Sequence, residues 1–176
     1  DMTVTGTMDV DGTLTLSNDN DGVVLLSGTI DASGNIVVED NGMPGPGLIR
    51  LNGSGTQSFT GAVGAPLANI EIASSGTVNL VGTIEARRSF TYTSGTVNAG
   101  TSTIDFVGGN GVTVNSGCMS FNNVHFNKNG SSGDVTITGT MNVNGDLTLS
   151  NDNSGAVLLL GTIEVTGNIV AEDYGM

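Results

Sequence analysis

The chain has 176 residues, 28 of them glycine and three proline, with no tryptophan, and it carries four basic against 17 acidic side chains for a net charge of −13. That charge disfavours nucleic acid and anionic lipid as partners, and the richness in β-branched residues argues against disorder. One cysteine excludes an internal disulfide framework, and no apolar run is long enough to span a bilayer as a helix.

Residues 1–43 return as residues 134–176 at a constant offset of 133, with 30 identities in the 43 aligned pairs. The chain is therefore read as one continuous unit over 1–176, with 1–133 a full repeat and 134–176 the start of the next. Within the repeat a shorter phrase recurs, Gly-Thr-apolar-polar-apolar. It starts at 6 (GTMDV), 28 (GTIDA), 55 (GTQSF), 76 (GTVNL), 95 (GTVNA), 117 (GCMSF), 139 (GTMNV) and 161 (GTIEV). The intervals are 22, 27, 21, 19, 22, 22 and 22, so the long period corresponds to six coils of about 22 residues.

In the first coil three short alternating runs follow one another: GTMDV, TLTLS at 13–17 and VVLLS at 23–27. Alternation turns Met8, Val10, Leu14, Leu16, Val24 and Leu26 inward. The same parity sends Ile70, Ile72, Phe90, Tyr92, Ile104 and Phe106 inward in later coils, and then Phe121, Val124, Phe126, Val135 and Ile137. Three two-residue apolar faces per coil predict an all-β fold, a right-handed three-sided parallel β-helix (β-solenoid) of about eight coils. An antiparallel sandwich would leave the recurrence of one phrase without a cause. The stretch 41–68 breaks the pattern, with NGMPGPG expected to loop out and GAVGAP in place of a regular second strand. GTVNLVGTIEA at 76–86 admits a second strand register.

The corner between the second and third runs is polar and variable. It carries Asp19, Asp21, Glu39, Asp40, Asp152, Glu172 and Asp173, oxygen donors of the kind calcium takes from loops. These seven are the candidate metal ligands, and Ca²⁺ is the only cofactor the sequence suggests. Asp21 is replaced by Ser154 in the second copy, and GGNGVTV at 108–114 has Thr113 where a calcium-binding nonapeptide needs aspartate. A solvated acidic turn is the competing reading.

Thr7, Thr29, Thr77, Thr96, Thr140 and Thr162 are expected to form one outward column. Their outward neighbours two residues on are Asp, Asn or Glu, which does not make the Thr-x-Thr face of an ice-binding surface. Glu85, Asp105 and His125 should stack outward on the second strand of three successive coils, as a surface charge cluster with no nucleophile beside it. Arg50 should pair with Glu71 across coils. Cys118 takes a threonine position and, if outward, could link chains. Asn52-Gly-Ser54 and Asn129-Gly-Ser131 fit the glycosylation pattern.

The phrases GTLTLS, GTMNVNGDLTLS and FNNVHFNKNG resemble those of giant bacterial surface proteins built from β-solenoid repeats. The likeness is to filamentous-haemagglutinin-like adhesins, autotransporter passengers and long repeat proteins exported by Bacteroidetes-like bacteria. It covers the whole chain in style and carries no site motif. It implies an extracellular, cell-surface stalk or filament, acidic and structural rather than enzymatic. Its partners would be neighbouring copies of the repeat, in the same chain or end to end, and also glycans or other cell surfaces. Neither end offers a cap, so continuation of the array is expected. A calcium- or glycan-binding solenoid is the alternative function, and a β-helix polysaccharide-degrading enzyme the lesser one.

Overall fold

The computed structural model describes residues 2–17, 24–107, 111–117, 119–127, 134–151 and 157–173. The chain is a parallel β-solenoid of about 7 turns at ~22 residues per turn. Every strand pairing among the described residues is parallel and joins segments one turn apart. Such pairing follows from the sequence: runs of three to five residues bury one face each, and Gly- and Asn-rich corners turn the chain between them.

One ladder runs the length of the molecule. In register along it stand Met8, Ile30, Ile49, Ile70, Phe90, Val114, Ile137 and, half exposed, Leu159. A second ladder joins Leu14–Leu16, Ile36–Val38, Thr56–Gly61 and residues 77–82, with 96–98 beyond. A third joins residues 83–86, Thr103–Phe106, Asn123–Asn127, Leu147–Asn151 and Ile169–Asp173. Met2–Val4 pairs with Val24–Leu26, and Thr140–Val143 pairs with Ser120–Phe121 on one edge and with Thr162–Val165 on the other.

The inward set expected from alternation is buried or packed against the core without exception. All five phenylalanines (Phe59, Phe90, Phe106, Phe121 and Phe126) are fully buried. Phe106 stacks on Phe126 at 5.2 Å, and Phe90 meets Phe106 and Phe121 edge-on at 6.4 and 5.5 Å. Over residues 90–126 the rings thus pack on one another, which adds ring–ring attraction to area burial. Among the described residues Gln57, Ser74, Ser102 and Ser116 are polar side chains buried in step with the inward positions. Gln57 stands at an inward position, gives its amide hydrogens to Ala32 and Gly34 carbonyls at 2.8 and 2.7 Å, and accepts from Gly53 N–H at 2.8 Å. With its amide partnered on both sides it carries no desolvation penalty of an unpaired group.

Three expectations are corrected. NGMPGPG does not loop out: Met43–Leu51 is a strand, Met43 is 3% exposed and pairs with Leu67, and the register slips between Met43 and Leu48. Pro44 and Pro46 withhold two N–H donors there, and Gly45, at φ +139°, lies so close to the Leu26 carbonyl that no Cβ would fit. The threonines do not form one column. Thr7 pairs with Thr29 on the first ladder, Thr77 with Thr96 on the second, and Thr140 with Thr162 on the short ladder. The phrase itself changes ladder, because Thr29 is followed on its ladder by Leu48, not by Thr56. The 27-residue interval between the phrases at 28 and 55 is this change, one turn to 48–51 plus one further strand.

Over 76–86 the register is settled. Leu67–Ala86 is one strand that rounds its corners without a break, with Val78, Leu80, Ile84 and Ala86 buried and Glu85 on the outer side.

Candidate functional site

The third ladder brings the ionisable residues together. Because Ile84, Ile104 and Val124 point inward, the residues after them point outward, and the pairing stacks Glu85, Asp105 and His125 on successive turns as expected. They are not a solvated cluster, however. Glu85 is 7% and Asp105 8% exposed. The chain at 62–66 passes over Glu85, and Gly64 N–H donates to its Oε1 at 2.6 Å.

His125 Nδ1 lies 3.3 Å from Asp105 Oδ2, and its Nε2 lies 2.8 Å from Ser150 Oγ. Ser150 is fully buried and donates its hydroxyl to Glu172 Oε2 at 2.8 Å. Four residues from four turns thus make one hydrogen-bonded line, Asp105–His125–Ser150–Glu172. Ser150 is the member that sequence reading missed. It shares parity with Thr148, which pairs with His125, but the contact is diagonal and reaches two positions past the paired residue.

The connectivity is that of an acid–histidine–serine relay, but the proton positions differ. Ser150 spends its only hydrogen on Glu172, so its oxygen must accept from His125 Nε2–H. Asp105 accepts from Nδ1–H. Both ring nitrogens then act as donors, which describes an imidazolium clamped between acceptors. A histidine so placed has no lone pair with which to take a serine proton, and Ser150 offers no surface to a substrate. The ionisation follows suit. The Asp105 hydrogen bond raises His125 above its ordinary range, burial opposes this, and the Asp105 and Glu172 charges add to it. Burial raises Glu85, the Gly64 hydrogen bond opposes, and the Asp105 charge adds. Asp105 Oδ1 has no hydrogen-bond partner.

A second charged group sits on the first ladder. Arg50 Nη1 lies 3.0 Å from Asp31 and its Nε 2.8 Å from Glu71, so the expected Arg50–Glu71 pair is present and gains a third member. Thr93 donates to the other Glu71 oxygen at 2.8 Å. The Arg50 hydrogen bond holds the Glu71 carboxyl below its usual range. Asp9 stacks on Asp31 in the same row, and Arg50 lies between Asp31 and Glu71, so it separates those two like charges. Arg50→Ala is expected to lower stability by about 1 kcal/mol at low salt, and less at 1 M salt, measured by urea denaturation at both ionic strengths.

The candidate calcium residues divide. Asp19, Asp21 and Asp152 lie outside the described residues, as do Cys118 and Asn129. Ser17 Oγ donates to Asp40 Oδ1 at 3.3 Å, and Glu39 N–H bonds the Leu16 carbonyl at 2.9 Å. Glu172 serves the Ser150 line, and Asp173 pairs through its backbone register with Asn151. Glu39 and Asp40 lie near one end of the solenoid and Glu172 and Asp173 near the other. Among the described residues no three His, Cys, Asp or Glu side chains are grouped to hold a metal. Beside the line, Thr103, Asn123, His125, Asp146, Thr148 and Glu172 border an open depression of about 330 Å³.

Fold and side chains together define a parallel β-solenoid in which Asp31, Arg50 and Glu71, and Asp105, His125, Ser150 and Glu172, are bonded to one another across turns. No family model, curated protein or solved structure matches the chain.

Proposed function

We propose that the chain is a structural segment of an extracellular filament or surface adhesin stalk, right-handed and three-sided, built to continue into further copies of its own repeat or to stack on them end to end. The observation that carries this reading is the ladder from Met8 to Leu159, in which each turn repeats the last over a continuous apolar core. Three ladders per turn support the three-sided section, and the strong right-handed preference of parallel crossovers supports the hand. Ionisable groups committed to one another, with a clamped imidazolium where a general base would be needed, favour a mechanical role over an enzymatic one.

Electron microscopy of the native material tests the proposal. The expected result is fibres with a sequence repeat of about 30 Å along the axis, six turns and a fraction at the strand spacing of ~4.8 Å. Monodisperse capped monomers at all concentrations would overturn it.

The depression beside His125 favours one second reading, a glycan-binding module, because its rim is hydroxyl, amide and carboxylate groups. Titration calorimetry against oligosaccharides, with Ca²⁺ as a separate arm for the acidic corners, tests that reading. Absence of heat in both arms removes it.

A further inference from the structure

We infer that, in an array of these repeats, each copy is turned by one side of the solenoid relative to the copy before it, so that any site the repeat carries winds around the shaft. This rests on the stalk reading above and adds the geometry by which such a stalk displays its surface.

The observation is a mismatch between two periods. Following the pairings from Met8, six turns lead to Ile137, a separation of 129 residues. The sequence equivalent of Met8 is Met141, four residues later and one strand further round. The 133-residue repeat is therefore six turns plus one strand.

Three pairs of equivalent segments show the same step. Thr7–Val10 belongs to the first ladder, but Thr140–Val143 lies off it, on the ladder of Ser120–Phe121. Leu14–Leu16 leads through Phe59 to Leu80, whereas Leu147–Asn151 leads back to residues 83–86, the next side along the same strand. Val24–Leu26 pairs with Met2–Val4 off the first ladder, and its equivalent Val157–Leu159 closes that ladder. Within each copy the pairings are identical: 7 with 29 becomes 140 with 162, and 14 with 36 becomes 147 with 169. The copies are thus the same local structure placed on different sides.

The acidic turn shows what this does. Ser17, Glu39 and Asp40 correspond to Ser150, Glu172 and Asp173 and face a different side. Three repeats make about 19 turns and return the turn to its first side after ~90 Å, while on successive sides it recurs every ~30 Å. A partner confined to one side meets the site once in three repeats. Further copies of the shaft can meet a matching site from any of the three sides, which suits bundles over flat sheets.

The test is cryo-electron microscopy of an array of three repeats with Cys118→Ser in each and gold-labelled cysteine replacing Thr7 and its equivalents, Thr140 among them. Thr7 and Thr140 are both exposed. The expected result is labels stepping ~30 Å along a continuous rod and a third of the way around it each time. Labels in a straight row along one side would overturn the inference and leave the stalk reading intact. Labels on separated beads, with no continuous rod, would overturn the stalk reading and the inference with it.

Discussion

Phe106→Ala is expected to lower stability by about 3–5 kcal/mol, against no more than about 0.5 kcal/mol for the exposed Thr96→Ala. Phe106 has no accessible surface, stacks on Phe126 in the next turn and meets Phe90, on the first ladder, edge-on. Its removal leaves a cavity whose walls are strands fixed by ladders on both sides, which limits collapse into the space. Because a solenoid is held together turn by turn, the loss should be local. Hydrogen exchange is expected to accelerate across residues 103–127 more than across 29–38, and urea denaturation gives the total. Equal acceleration at both places would contradict turn-by-turn cohesion.

The second large effect is a dependence on pH that comes from the buried line. Asp105, Glu172 and Ser150 face His125, with Asp146 on the rim and Glu85 beyond Asp105. The folded protein holds the His125 proton more tightly than the unfolded chain does. The stability so gained is complete below the ordinary histidine value of 6.5 and is lost as pH rises through the higher folded value. Glu85 acts in the same sense from a lower starting point, since its folded form also favours the proton. Its contribution is complete below 4.5 and disappears as pH rises through its folded value. Thermal melts are therefore expected at higher temperature near pH 5 than near pH 8. His125→Ala should cost about 1–3 kcal/mol at pH 6 by leaving Asp105 and Ser150 without their donor, and should flatten the profile above pH 6.5. Glu85→Gln should flatten the lower limb instead and leave the upper one. A His125→Ala profile parallel to that of the parent would remove the clamp from the account.

Much of this was legible in the residues. Alternation fixes parity, and parity placed Phe90, Phe106, Phe121 and Phe126 inside and turned Glu85, Asp105 and His125 outward. Parity does not say which segment lies one turn away. That depends on the length of each turn, and here turns differ: Ala32 pairs with Leu51, 19 residues on, while Phe90 pairs with Val114, 24 on. The recurring phrase therefore misled at 28–55, where the strand Leu48, Ile49, Arg50 and Leu51 that continues the first ladder has no threonine to announce it. Burial was the other quantity out of reach. An outward side chain on a strand is ordinarily solvated, and nothing local to Glu85 signals that the chain at 62–66 will cover it. Ser150 escaped because a hydroxyl two residues past a paired position looks like any other in a Thr- and Ser-rich strand.

The parallel ladders also decide how such a protein answers to force. Its interstrand hydrogen bonds lie along the long axis, so tension applied end to end loads the turns in series, each bearing the full pull. One turn that gives way exchanges ~4.8 Å of rise for about 70 Å of extended chain at ~3.3 Å per residue. A segment of this kind yields by lengthening in steps, and the turns still wound continue to hold.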